Sequence, residues 1–190
     1  MLDKILTLDT NLFLWLNGFH SEAWDKVMWF VSGKTEWIPL YALILAFLIY
    51  RYKWKSIPVI IAIVLLITMA DQVSSNLIKD NVKRLRPSHV NALKNSIHIL
   101  NDYRGGPYGF VSSHAANSFA LAVFLSLVFR NKWFSAFMVI WAIFVSYSRI
   151  YLGVHYPGDI LGGALLGALI GWLIYQLLIL VQNKLENRKT

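Results

Sequence analysis

Residues 157–182 read PGDILGGALLGALIGWLIYQLLILVQ, and this stretch decides the fold. From Ile160 to Gln182 it carries no Asp, Glu, Lys or Arg. At about 1.5 Å per helical residue it is long enough to cross a hydrocarbon core of about 30 Å. Gly158, Gly162, Gly163, Gly167 and Gly171 place small residues at four-residue steps, a spacing that lets a neighbouring membrane helix come close. Working outward, four further apolar blocks stand at 37–50 (WIPLYALILAFLIY), 56–78, about 112–129 and 133–152. The block at 56–78 is apolar through Met69 and turns polar from Asp71. The expected fold is therefore an all-α integral membrane protein of about five transmembrane helices, forming one membrane domain over 1–190.

Composition agrees. Of the 190 residues 57% are hydrophobic and 15% charged, with mean hydropathy +0.51. A soluble domain carries about 25% charged residues. The net charge of +8 does not point to nucleic acid, because the cations sit mainly at the ends of apolar blocks, where topology determinants belong. Cysteine is absent, which removes disulfides and thiolate metal sites. Asp3 and Asp9 interrupt any secretory-signal pattern.

Residues 1–35 mix Leu12, Phe13, Leu16, Val27 and Met28 with Asp9, Glu22, Asp25 and Lys26. That pattern predicts amphipathic helices lying at the interface, anchored by Trp15, Trp24 and Trp29, ahead of a bundle over 36–190, with a sixth span over 11–33 as the alternative. Orientation follows from short-loop cations. Arg51, Lys53 and Lys55, then Arg130 and Lys132, then Lys184, Arg188 and Lys189 fall on one side of a five-span bundle. By the positive-inside rule that side is cytoplasmic. The 79–111 loop and the 153–156 turn then face the periplasm or the extracellular space, across a cell (inner) membrane.

Three polar clusters collect at that outer face. They are Lys79 with Arg86-Pro87, then Ser112-Ser113-His114, then Ser148-Arg149 with His155 and Asp159. Taken singly each has an ordinary reading. Lys79, Lys83, Arg84 and Arg86 are suited to snorkelling or headgroup contact, and Ser112 or Ser113 to helix capping. His155 and Asp159, four apart behind Pro157, fit a local hydrogen bond. Asp71 reads as a buried polar contact with Ser74, Ser75 or a neighbouring helix, and His20, His89 and His98 as surface or interfacial residues.

Together the clusters carry chemistry. A phosphate ester spreads transition-state charge over its non-bridging oxygens, and fixed cations and backbone N–H groups answer it. Arginine adds a bidentate fork, lysine a point charge, and a helix start at Ser112 the positive end of a dipole. Two histidines divide the work: one attacks phosphorus while the other protonates the leaving oxygen. Asp159 accepts from the ring nitrogen of His155 that does not react.

Lys79-x6-Arg86-Pro87, Ser112-Ser113-His114 and Ser148-Arg149-x5-His155-x3-Asp159 together resemble the three-part signature of the type 2 phosphatidic acid phosphatase superfamily, over roughly 71–165. The second motif departs from the usual Pro-Ser-Gly-His, with Val111 for the proline and Ser113 for the glycine. Backbone donors survive both changes, so the departure bears on rate and substrate range. The resemblance implies that His155 is a nucleophile forming a phosphohistidine, oriented by Asp159. His114 is then the acid for the leaving group and the base for water. Lys79, Arg86, Ser112 and Arg149, with the backbone amides of Ser113 and His114, cradle the phosphoryl oxygens. It implies no metal and no cofactor. The loop 101–110, with Arg104 and Tyr108, is placed to cover the pocket and meet a headgroup.

The implied partners are the bilayer and a membrane lipid phosphate. Family analogy ranks undecaprenyl diphosphate first, with phosphatidylglycerol phosphate or a lipid A phosphate next. A lipid-to-lipid phosphotransferase would use the same site. A transporter would spread charges through the membrane depth, whereas 119–128 and 133–145 carry none. A non-catalytic lipid-binding protein would not depend on His155.

Overall fold

The computed structural model describes residues 2–187. Its helices are α1 (Leu2–Asn17), α2 (Glu22–Ser32), α3 (Ile38–Tyr52), α4 (Ser56–Gln72), α5 (Lys79–Val82), α6 (Ser113–Phe129), α7 (Lys132–Tyr151) and α8 (Pro157–Glu186). A π-helical turn, Val73–Ile78, joins α4 to α5. Among the described residues no strand forms, and a single antiparallel bridge pairs Leu85 with Tyr108. Three helical stretches are long and apolar enough to cross a membrane: Thr35–Val82, which holds both α3 and α4, then α7 and α8. The 17-residue α6 is apolar but shorter.

Local sequence sets the helix ends. Ser112 caps α6 by accepting from Ala115 N at 3.4 Å, and Asn131 caps α7 by accepting from Trp133 N and Phe134 N at 3.0 Å. Pro157 opens α8, where its missing N–H leaves no helical bond unmade. Lys83 and Arg130 stop α5 and α6 in the left-handed region, at φ 50° and 51°.

Helix α6 is the buried centre, with Ala115, Ala116, Ala120, Leu121, Phe124 and Leu125 inside. Helix α8 lies close against it through its small residues. A Cβ at Gly163 would lie 2.5 Å from Ser112 O, one at Gly171 would lie 2.5 Å from Ala120 O, and one at Gly167 would strike Ala116 O. The expected glycine stripe thus resolves into a packing face of Gly163, Gly167 and Gly171, while Gly158 faces Asp9 and Gly162 faces Val111 and Phe110. Leu43, Phe47, Ile61, Val64, Ile140, Leu165, Leu169 and Leu180 point outward and are exposed. An apolar face of that size is what lipid contact requires.

The bundle has two chemically different ends. At one, the starts of α6 and α8 meet α5, with Lys79 on Ser113 and Ser112 N donating to Asp159 O at 3.0 Å. At the other, Phe47 and Tyr52 of α3 pack on Phe129 of α6, and Arg130 donates to the Tyr175 hydroxyl at 2.9 Å. Arg51, Lys53, Lys55, Arg130 and Lys132 belong to the turns of this second end, and Lys184 to the end of α8. Arg188 and Lys189 lie outside the described residues.

The amphipathic segment expected at 1–35 is α1 and α2, which cross the first end. Asn17 anchors them. Its amide donates to His98 O, Ile150 O and Tyr151 O at 3.1, 3.0 and 2.9 Å, and its oxygen accepts from His98 N at 2.7 Å. Phe13, fully buried, meets the Tyr156 ring edge-on at 5.4 Å. Trp15, Trp24 and Trp29 stay exposed.

One boundary differs from expectation. The hydrophilic stretch taken to begin at 79 is helical to Val82. The wider π turn at Val73–Ile78 carries the helix past the polar residues Ser74 and Ser75, which turn inward to Ser113 instead of ending it.

Candidate active site

The turn between α7 and α8 carries His155, only 1% exposed. Its Nδ1 lies 3.3 Å from Asp159 Oδ2, and its Nε2 lies 3.0 Å from Arg86 NH1. A carboxylate only accepts and a guanidinium only donates. These two neighbours therefore assign the tautomer: Nδ1 carries the proton, and Nε2 keeps a lone pair facing Arg86. Burial first, then the charges of Arg86, Arg149, Lys79 and Arg84, hold the imidazole well below the usual histidine range. His155 is accordingly neutral at physiological pH.

Asp159, on the first turn of α8, is held by three donors. Oδ2 also accepts from Tyr156 N at 3.0 Å, and Oδ1 accepts from Arg84 NH1 at 2.8 Å. Arg84 reaches further, with NH2 2.7 Å from Asp9 Oδ2 on α1 and its guanidinium 4.0 Å from the Tyr156 ring centroid. The other oxygen of Asp9 accepts from Gly158 N, also at 2.7 Å. A chain Asp9–Arg84–Asp159–His155 thus runs from the first helix to the buried imidazole.

Arg86 is itself buried and fixed by Nε donating to Tyr108 O at 3.0 Å. Lys79 donates to Ser113 Oγ at 2.7 Å, and that hydroxyl also bonds Ser74 and Ser75 at 2.9 and 3.0 Å. The serine standing where the motif usually has glycine is therefore the group that holds the lysine. The Ser112 side chain is taken up by the α6 cap, so what it offers an anion is the helix start around it. His114, next in line, lies on the wall of two cavities, of about 740 and 290 Å³. Arg149, buried on α7, donates to Ser32 Oγ and, at 3.2 Å, to the Tyr103 hydroxyl. Its Nε has no partner among the described residues. Ser148 bonds its own helix at Val145 O.

The residues singled out from sequence thus gather at one end of the bundle: His155 in contact with Asp159 and with Arg86, Lys79 on Ser113 next to His114, and Arg149 on the smaller cavity that His114 also lines. Sequence reasoning did not assign Arg84 or Asp9 to the site. Arg84 and Arg86 flank Leu85 in an extended bridge, where alternate residues share a face, so the Arg-x-Arg spacing was the available signal. Asp9 had none.

Three expectations are corrected. Arg104 does not turn to the pocket, since it donates to Ser88 O while Ser88 donates back to its carbonyl, which pins the loop. Tyr108 contributes its carbonyl, and the aromatic ring that reaches the site is Tyr103. The expected Asp71–Ser74 contact does form, through the Asp71 backbone carbonyl, which accepts from Ser74 Oγ at 3.2 Å, and the residue is half-buried on the larger cavity. His98 is not a free surface residue, because its Nε2 meets Asp25 Oδ1 at 2.9 Å and its ring stacks on His20 at 4.1 Å. That cluster binds the α1–α2 corner to the long loop. Among the described residues no group of three His, Cys, Asp or Glu is arranged to hold a metal ion.

Residues 58–181 match the family model described as the PAP2 superfamily. The chain is 46% identical over 177 residues to the lipid A 4'-phosphatase of Bacteroides thetaiotaomicron, covering 92% of this chain and 79% of that protein. It is 34% identical over 178 residues to an undecaprenyl-diphosphatase of Sulfolobus acidocaldarius, covering 92% and 81%. The crystal structure of a transmembrane PAP2 type phosphatidylglycerolphosphate phosphatase from Bacillus subtilis has the same fold. Its TM-score is 0.71 at 22% identity, over 92% of this chain and 86% of that one.

Proposed function

The chain belongs to the PAP2 superfamily and is a membrane lipid phosphatase, and from that premise we propose that its substrate is a lipid A phosphate, hydrolysed through a phosphohistidine on His155. The observation that carries the chemistry is the placement of His155 Nε2, its lone pair facing Arg86 at 3.0 Å with Asp159 behind Nδ1 at 3.3 Å. Arg86 NH1 transfers from that lone pair to a phosphoryl oxygen as the substrate enters. Nε2 then forms a bond to phosphorus as the bond to the leaving oxygen breaks, and His114 delivers a proton to that oxygen. Asp159 stabilises the charge arising on the ring. In the second half His114 takes a proton from water, the oxygen attacks phosphorus, and the P–N bond breaks to release phosphate and neutral His155. Lys79, Arg149 and the amides at the start of α6 hold the non-bridging oxygens throughout.

Substrate rank changes from the sequence expectation. Undecaprenyl diphosphate stood first there by analogy; the extent and identity of the match to a lipid A 4'-phosphatase put the lipid A phosphate ahead, with the diphosphate second. Orientation is part of the same proposal. Five apolar helices cross the inner membrane, and the basic turns at the end remote from His155 favour a cytoplasmic position for that end. The site then opens to the periplasm.

The test is phosphate release by the purified protein in detergent, with chelator present, from lipid A, undecaprenyl diphosphate and phosphatidylglycerol phosphate. Release that is fastest from lipid A is the expected result. Faster release from either other lipid overturns the substrate, and a requirement for a divalent ion overturns the mechanism.

A further inference from the structure

His114 is shared by two cavities of unlike character. The larger, about 740 Å³, runs from Ser113 and His114 between α3, α4 and α6 and is walled by apolar residues such as Ile44, Leu48, Ile63, Ile67 and Leu121. It lies within the bundle and suits hydrocarbon. The smaller, about 290 Å³, lies on the outer side, between α2 and the tip of the long loop. The two share Gly33, Lys34 and His114.

The lining of the smaller cavity is specific. Trp29 and Tyr103 stand on it edge to face, with ring centroids 6.0 Å apart and exposures of 41% and 37%. Glu36 brings a carboxylate, folded against the Gly33 backbone where a Cβ would strike it, and Lys34 brings an ammonium. Arg149 lies at its inner wall. Two partly exposed aromatic faces with one acceptor and one donor suit a polyhydroxylated ring, whose C–H faces lie on aromatics and whose hydroxyls need partners of both kinds. A second phosphate group would meet the Glu36 carboxylate, and an acyl chain would leave Lys34, Glu36 and Arg149 without partners for their charges.

We propose that this cavity is a sugar subsite: it holds the ring that carries the phosphate ester, so that the exocyclic ester oxygen leaving phosphorus departs as a sugar hydroxyl beside His114 while the acyl chains lie in the larger cavity. The inference rests on the reading of the site as a lipid A phosphatase and deepens it, naming the cavity and the residues that select the acylated sugar over other phosphoester lipids. Trp29 and Glu36 are its specificity residues. Neither touches the reacting groups His155, Asp159 or Arg86.

The experiment compares kcat/KM for two substrates in the same micelles: an acylated glucosamine phosphate, and phosphatidic acid with matched chains. Trp29→Ala is expected to lower the sugar-to-phosphatidate ratio about tenfold, the scale of a lost pocket contact, and Trp29→Phe to restore most of it. Glu36→Gln, which keeps the shape of the wall, is expected to lower the same ratio and serves if Trp29→Ala does not purify. Ratios unchanged in both Trp29→Ala and Glu36→Gln, with the wild type preferring the sugar lipid, would overturn the subsite and leave the lipid A proposal standing. A wild type preferring phosphatidic acid would overturn both.

Discussion

Replacing Arg84 with alanine removes a residue that no motif names yet that two carboxylates share. Its guanidinium spans 2.7 Å to Asp9 and 2.8 Å to Asp159, and the Asp159 side chain is wholly buried. A hydrogen bond to a charged group contributes about 1.5–3 kcal/mol, and the Arg84 side chain, 19% exposed, is partly screened by solvent, which favours the lower half of that range. Without it Asp159 keeps only the Tyr156 amide and His155, so the carboxylate is less firmly held as the partner of Nδ1. If that loss appears in the transition state, about 1.4–2 kcal/mol corresponds to a fall in kcat of roughly 10- to 30-fold at little change in KM. Arg84→Lys keeps the charge but not the fork between two acids, and an intermediate loss is expected. The assay is phosphate release in detergent, with intrinsic tryptophan fluorescence during heating to confirm folding. A folded Arg84→Ala protein with kcat within about twofold of the wild type would refute the reasoning.

Ser113→Ala removes the acceptor that holds Lys79 at 2.7 Å, so KM is expected to rise about three- to tenfold with a smaller change in kcat, measured on the same lipid. The imidazole of His155 is depressed by burial and by four nearby cations, so its nucleophilic neutral form exists above that lowered value and is lost only as pH falls through it. The acid limb of the kcat/KM profile is therefore expected below the ordinary histidine value of about 6.5, and a limb above that value would contradict the assignment. Gly167→Val drives a branched side chain into Ala116 O at the α6–α8 contact. A loss of about 1–3 kcal/mol is expected, seen as a lowered melting temperature, whereas a melting temperature equal to the wild type's would show the two helices free to separate.

Much of this was legible in the chain because membrane helices advertise themselves. Uninterrupted apolar runs fix α3, α4, α7 and α8 to within a few residues, and helix ends bring Lys79, His114 and His155 to one end of the bundle. The Gly163–Gly167–Gly171 face was readable because only glycine lets α8 sit on the α6 carbonyls. What escaped depends on contacts between residues far apart in sequence. Asp9 acts through a salt bridge to Arg84 and a cap on α8, and nothing local in an amphipathic first helix marks it from Asp3. Arg84 looked like one more juxtamembrane cation until the Leu85–Tyr108 bridge turned it to the same side as Arg86. Tyr103 and Arg104 are neighbours in a turn-rich loop, and which of them faces Arg149 is settled by the Ser88–Arg104 exchange, not by composition.

Two imidazoles on different helix ends serving one phosphorus atom is the point on which the rest depends. It is tested by mixing the protein with labelled lipid phosphate, quenching in alkali within a turnover, and locating bound phosphate by peptide mass spectrometry. Phosphate on His155 in the wild type, absent in His155→Ala and turned over more slowly in His114→Ala, is the expected result. Label on another residue, or turnover that persists in His155→Ala, would contradict it.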